Sequence, residues 1–194
     1  MIASVLLGAL VVWSGTDGFS AFTSEGARRL DVARNPRPLP DVQLENHDGR
    51  STTLDDFRGR VLLVDFIYTR CPTLCVTLGS SFERLRSAID HAGLSGRIVL
   101  LSISFDLHND GQAELTDYAA RFGGPDQIWQ FVRPKSQAEL EKLLKSAAVI
   151  VLPDDVGGFV HNAAIHVVDR QGRLVAVVDT EAVTEALAMA RRLL

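Results

Sequence analysis

The stretch that decides the fold is "RVLLVDFIYTRCPTLCVTLGSSFERL", residues 60–85. Its first half is a β-rich apolar run, too continuous for an edge strand, which predicts a buried central strand over 61–68. Pro72 suits the first turn of a helix, where its missing N–H costs nothing. Leu74, Leu78, Phe82, Leu85 and Ile89 then recur at three and four, so a helix follows and closes at Gly93. "RIVLLSISF" (97–105) reads as a second buried strand, which makes the unit βαβ.

On the N-terminal side, "VQLENHDGRSTTL" (42–54) alternates weakly around His47-Asp48-Gly49, the pattern of a hairpin with an Asp-Gly turn. On the C-terminal side come a helix ending in Gly (112–123), a short strand "IWQFV" (128–132) and a helix opened by a Ser136–Glu139 capping box (136–147). A hairpin around Gly172 (163–179) and a last helix (181–194) close the chain. This order describes an α/β fold, a thioredoxin-like sandwich. It has a central mixed sheet, helices on both faces and an N-terminal β-hairpin extension. In open α/β sheets, function sits at the C-terminal ends of strands. Cys71 lies there.

The chain has 194 residues, 46% hydrophobic and 23% charged, with a mean hydropathy of +0.12. That length supports one domain with a proper core plus a leader. A net charge of −4 gives no basic footprint, so nucleic acid is not an expected partner. "MIASVLLGALVVWSG" is an apolar run of about 12 to 15 residues, within signal-peptide range and short for a spanning helix. Continued through "TDGFSAF" it is long enough to span, with Asp17 its only charge. No Lys or Arg precedes Arg28, whereas Arg28, Arg29, Arg34 and Arg37 all follow the run, which runs against an exported domain on the positive-inside rule. "NPRPLPDV" (35–42) reads as an extended linker. The expected organisation is a signal sequence or membrane anchor at 1–24, a linker at 25–40 and the folded domain at 41–194.

Only two cysteines occur, Cys71 and Cys75, four positions apart. As a structural bridge they close a tiny loop, which in the chain-entropy model contributes only about 2 kcal/mol. At a helix N-terminus the dipole and unpaired N–H groups favour a thiolate, and Arg70 can add to that. Residues four apart share one helix face, so two sulfurs converge on one point in front of it. Such a pair can chelate a soft metal or cycle through a disulfide, and spacing leaves both open.

A third ligand has five candidate histidines. His47 sits in a turn, His91 at a helix end where a cation suits the dipole, and His166 inside a strand. His108 follows Asp106 on the loop after the second central strand, on the site side. His161 is the best candidate: it ends the irregular segment "VLPDDVGGFVHNAA" (151–164), made mobile by Gly157-Gly158, and directly precedes a strand.

"YTRCPTLC" (68–75), "LSISFDLHND" (101–110) and "VHNAAIHVVDRQGRL" (160–174), in this order and spacing, resemble the Sco/SenC family of copper proteins for cytochrome c oxidase assembly. The leader and "FTSEGARRLDVARNPRPLP" (22–40) look like membrane-tethered bacterial members. The resemblance implies a thioredoxin fold in the bacterial periplasm, held at the inner membrane by the N-terminal segment or exported after its cleavage. It implies copper, as Cu(I) or Cu(II), on Cys71, Cys75 and His161, and a partner or site contact for Asp106. The implied partners are the copper-bearing subunit of the oxidase or other copper chaperones. Departures are Val76 and Leu107, where the family commonly has proline, and His166, where an aromatic often stands. They bear on the partner surface more than on the metal.

Two functions follow. A copper chaperone supplies the binuclear centre of the oxidase; alternatively, a thiol–disulfide reductase using Cys71 and Cys75 keeps the recipient's cysteines reduced. The thioredoxin Cys-x-x-Cys is absent, and no proline follows Pro153 to face the thiols, which leaves room for the His161 imidazole. A peroxidase motif, Pro-x-x-x-Thr-x-x-Cys, is missing, since no proline lies between Pro40 and Pro72.

Overall fold

The computed structural model describes residues 2–16, 23–71, 74–155 and 157–194. Two short helices come first, α1 (Ile2–Gly15) and α2 (Ser24–Arg34). The strands β1 (Arg37–Pro38), β2 (Gln43–Asn46), β3 (Ser51–Thr53) and β4 (Val61–Ile67) follow, then α3 (Leu74–His91). The chain continues through β5 (Ile98–Ser104), α4 (Gln112–Ala120), β6 (Trp129–Pro134) and α5 (Gln137–Ala147). It ends with β7 (Val151–Pro153), β8 (Phe159–His161), β9 (Ile165–Val168), β10 (Arg173–Val178) and α6 (Val183–Arg192).

Eight strands form one mixed sheet in the order β1-β10-β9-β4-β5-β6-β2-β3. Only β4-β5-β6 run parallel, linked by α3 and α4, and every residue of β4 and β5 is buried. That double burial is why both read as unbroken apolar runs. The β2–β3 hairpin turns at Gly49 (φ +76°) and extends the sheet by pairing with β6, so the hairpin extension is real. Leu78, Phe82, Leu85 and Ile89 of α3 are fully buried, as their period predicts; Pro72 lies outside the described residues.

Side chains on β4 alternate between two environments. Phe66 packs its ring on His166, whereas the carboxyl of Asp65 acts electrostatically on Cys75 of α3 and Tyr118 of α4. Helices α3, α4 and α6 belong to the Asp65 side: the Tyr118 hydroxyl donates to the Cys75 carbonyl (2.8 Å), and α6 packs on α3. Helices α2 and α5 meet on the other side, where Arg37 and Arg28 donate to the carbonyls of Ser146 and Ala148.

Two expectations are corrected. Residues 25–40 are expected to be a linker, extended over 35–42. Instead α2 is capped by Thr23, buries Val32 and packs on β10, and β1 pairs with β10. The prolines do hold the backbone extended, but the extended piece is a sheet edge. The helix carries almost no apolar period because ion pairs, Arg29 with Asp179 (2.6 Å) among them, do much of its docking. Second, the segment before His161 is a two-stranded β7–β8 hairpin, so His161 sits in a strand. Three-residue strands are too short to show a period. Gly157 (φ +82°) supplies the left-handed turn, and the Gly158 N–H donates to Asp154 (2.6 Å).

Helix α1 is apolar, and its residues from Val5 to Trp13 are exposed. Among the described residues no helix is long and apolar enough to cross a membrane.

Candidate metal centre

The parallel strand β4 delivers the chain to residues 68–71 at its C-terminal end, and two buried acids hold that loop. Asp110 accepts from the Thr69 amide (2.9 Å), the Thr69 hydroxyl (2.7 Å) and the Ser104 hydroxyl (2.6 Å). Asp106 accepts from Arg70 (3.1 Å) and from the Asn109 side chain (2.9 Å). Arg70 is thus committed to Asp106. The clamp ties the loop before Cys71 to the loop after β5.

Cys75 is the second residue of α3, and its amide donates to the Cys71 sulfur (3.3 Å). This is the expected use of an unpaired helix N–H, which favours negative charge on Cys71. Both cysteines are buried thiols with no disulfide between them. Burial pushes the Cys75 thiol well above its ordinary range, and neighbouring Cys71 and Asp65 add to the rise. A metal must therefore displace a tightly held proton there, which couples binding to proton release.

His161 arrives from β8. Its Nε2 lies 3.1 Å from the Phe66 carbonyl, 95 residues earlier, and its ring meets Phe105 edge-on at 5.0 Å. A carbonyl only accepts, so Nε2 carries the proton and Nδ1 is the nitrogen with a lone pair. Burial lowers the basicity of the ring, opposed by the Phe66 carbonyl, and keeps it neutral. A neutral imidazole whose other N–H is held by a carbonyl is the arrangement metal-binding histidines use.

Tyr68 joins the two halves. Its hydroxyl contacts the Phe159 carbonyl and amide (both 3.4 Å), and its ring packs on Phe105 and Phe159. Burial first, and then both cysteines, push its phenol up, against the Phe159 backbone contact. The thiols and the imidazole thus flank one end of β4 across an aromatic wall. Among the described residues, no three His, Cys, Asp or Glu side chains are gathered closely enough to hold a metal ion. The donor chemistry fits a soft metal. The cysteine pair is assembled, and His161 stands beside it, latched to Phe66.

The other histidines behave differently. His47 pairs with Asp48 (3.3 Å) in the β2–β3 turn, and His91 Nδ1 contacts the Ser87 carbonyl (2.7 Å) near the end of α3. His108 lines a cavity of about 400 Å³ with Phe105, Asp106 and Phe159. His166 lies inside a strand, as expected, and is buried in the core; burial, and then Arg28, lower its pKa to about 3.

Three residues escaped the sequence reading. Asp110 has a signal in hindsight, an acid four positions after Asp106. Asp65 is wholly buried, and neither carboxyl oxygen has a hydrogen-bond partner. Burial pushes its pKa up to about 7, opposed by the nearby Ser102 hydroxyl. Arg28 is the third.

A family model described as SCO1/SenC matches residues 34–193. The chain belongs to the SCO1/SenC family. The SCO1 protein homolog of Bacillus subtilis (strain 168) is 30% identical over 132 residues, 67% of each chain. A SCO1/SenC family lipoprotein from Bacillus anthracis str. Ames shares the fold at 21% identity with a TM-score of 0.75, covering 82% of this chain and 98% of its own. ScoI of Bradyrhizobium japonicum, solved with copper bound, is 26% identical with a TM-score of 0.69, covering 81% and 99%. Among SCO1/SenC relatives, then, a chain of the same fold and nearly the same extent carries copper. Helix α2 falls almost wholly outside the SCO1/SenC match.

Proposed function

We propose that this chain is a copper chaperone. It takes copper on the Cys71 and Cys75 thiolates and the His161 imidazole and passes it to the binuclear copper centre of cytochrome c oxidase. One observation carries the reading: two buried thiols and a neutral imidazole flank the same strand end in a SCO1/SenC chain. Copper is the cargo. Thiolates select Cu(I), and the added imidazole suits Cu(II) as well. Two sulfurs and one nitrogen leave a coordination position through which a recipient can exchange ligands.

The protein's own groups have definite tasks in this reading. Asp110 and Asp106 hold the loop that presents Cys71, the Cys75 amide steadies the Cys71 sulfur, and the Phe66 carbonyl fixes the tautomer of His161. The work is extracytoplasmic, in the periplasm. The apolar run at the N-terminus serves as export signal or membrane anchor, consistent with a lipoprotein among the structural relatives. The domain that binds copper is the 41–194 read from the sequence together with α2 and β1, and half-exposed Arg70, held by buried Asp106, offers a charged contact to the client.

A second reading, a thiol–disulfide reductase for the client's cysteines, draws on the closeness of Cys71 and Cys75. Titration of the reduced protein with Cu(I) and Cu(II), followed by absorption in the sulfur-to-copper region, tests the choice. One copper per chain, lost in Cys71→Ser, supports the chaperone. No tight copper with rapid thiol–disulfide exchange puts the reductase first.

A further inference from the structure

Arg28 belongs to the stretch whose sequence suggested a linker, yet its side chain is only 8% exposed. Each of its five N–H groups has a partner. Nε and Nη2 donate to the two oxygens of Glu25 (2.8 and 2.7 Å). Nη1 donates to the Ala148 carbonyl (3.2 Å) and meets His166 Nε2 (3.3 Å), and Nη2 also donates to the Asn162 carbonyl (3.3 Å). Because a guanidinium only donates, His166 Nε2 accepts, and its Nδ1–H points to the Val64 carbonyl of β4 (3.3 Å). One side chain therefore joins β9 (and through His166 β4), the end of α5 and the carbonyl of the residue after His161.

Asn162 is held from several directions. Its side chain accepts from the Ile150 amide (2.7 Å) and donates to the same Ala148 carbonyl that Arg28 uses (3.0 Å). The β7–β8 hairpin is otherwise a separate two-stranded sheet, with Ile150, Leu152 and Val160 exposed. At the His161 end, its backbone is joined to the body of the molecule through this bracket. The ring of His161 is latched to the carbonyl of Phe66 on β4, and Arg28 holds the backbone beside it to the same sheet.

We infer that Arg28 of α2 is a positioning residue for His161, so that the helix preceding the SCO1/SenC match is part of the metal site's scaffold. The inference rests on the copper reading for its purpose. Its geometry does not depend on metal. A planar five-donor fork is required: lysine at 28 keeps the charge but cannot reach the Ala148, Asn162 and His166 acceptors together.

The test is made on the full chain with Arg28→Met and, as the gentler variant should Met not fold, Arg28→Lys. In metal-free protein, the exchange rate of the His161 Nε2–H and the ¹⁵N shifts of its ring are measured by NMR. Exchange should rise about tenfold or more in Arg28→Met and less in Arg28→Lys, because the latch loosens when the adjoining peptide is released. In the loaded protein, Cu(II) affinity should fall about tenfold with a changed absorption band. Cu(I) should stay within about threefold, since two thiolates hold it. A variant that loses thermal stability while His161 exchange and Cu(II) affinity stay at wild-type values overturns the inference. If wild-type protein binds no copper, the proposed function fails alone, and the exchange measurement still decides the role of Arg28.

Discussion

The two halves of the site are built in opposite ways. The cysteine half is local in sequence and deep in the core: Cys71 and Cys75 lie four residues apart, with Cys75 fully buried. Its loop is clamped by Asp110 through three hydrogen bonds. The histidine half is assembled from a distance. His161 rides on a two-stranded hairpin outside the main sheet and is tied to it by a latch spanning 95 residues and a bracket spanning 134. In the proposed chaperone role, a site that grips copper and then releases it gains from that division. In that role the half buried in the core keeps affinity, and the half carried on the separate hairpin can yield to an incoming ligand.

The largest expected effect would break this contrast outright. Cys75→Ser should weaken Cu(I) binding by more than a thousandfold. His161→Ala should leave Cu(I) within about tenfold while Cu(II) affinity and its sulfur-to-copper band collapse, because soft thiolates alone suffice for Cu(I). Thiol–disulfide exchange by His161→Ala should be near wild type. Equal losses of Cu(I) in the two variants would show that the halves are not specialised.

The next effect concerns the cysteine half. Asp65 beneath it keeps its proton in the folded protein up to about pH 7, against 3.8 for the ordinary carboxyl. Its favourable contribution is full at pH below the unfolded value and is lost as pH rises through the folded one. Relative to Asp65→Asn, metal-free reduced protein should therefore lose about 4 kcal/mol of stability between pH 4 and 8. Urea unfolding across that range checks it. A flat difference would mean that Asp65 stays ionised in the core.

A third prediction sharpens the histidine half. A chain beginning at residue 41 lacks Val32 and Leu39, both buried, and should be less stable than one beginning at 23 by about 3 kcal/mol or more. Its hairpin should exchange amide protons faster than α3 does. Equal stability of the two chains would return α2 to the role of a spacer.

The smallest effect is at Ala148, the only non-glycine residue with positive φ (+53°) among the described residues, at the C-terminus of α5. Ala148→Gly should raise stability by about 0.5–1 kcal/mol by relieving the left-handed backbone. Because the carbonyl is retained, His161 should be unaffected; calorimetry and the copper titration check both.

Several parts of the fold were legible because they repeat a local rule. The unbroken apolar runs of β4 and β5, the three-and-four period of α3, and the Asp-Gly and Gln-Gly turns each encode their own conformation. The Ser136 cap formed as read, its hydroxyl accepting from the Glu139 amide, but only one half of the box closed. Glu139 reaches instead to the Gln43 amide of β2 (2.9 Å), a partner 96 residues away. Helix α2 and the β7–β8 hairpin were missed for the same reason. Their order comes from partners elsewhere in the chain, and neither carries a period of its own.

What the sequence by itself determined is the strand that buries on both faces, the helix that follows it, and the placing of two thiols four apart at their junction. These are short-range consequences of side-chain pattern and backbone preference. Tertiary structure alone decided which carbonyl latches the His161 ring, which of its nitrogens keeps a lone pair, and which backbone acceptors the Arg28 fork reaches. Those choices depend on carbonyls of Phe66, Ala148 and Asn162 that no pattern of side chains reveals. A backbone acceptor is present at every residue, and only folding determines which ones a distant donor can reach.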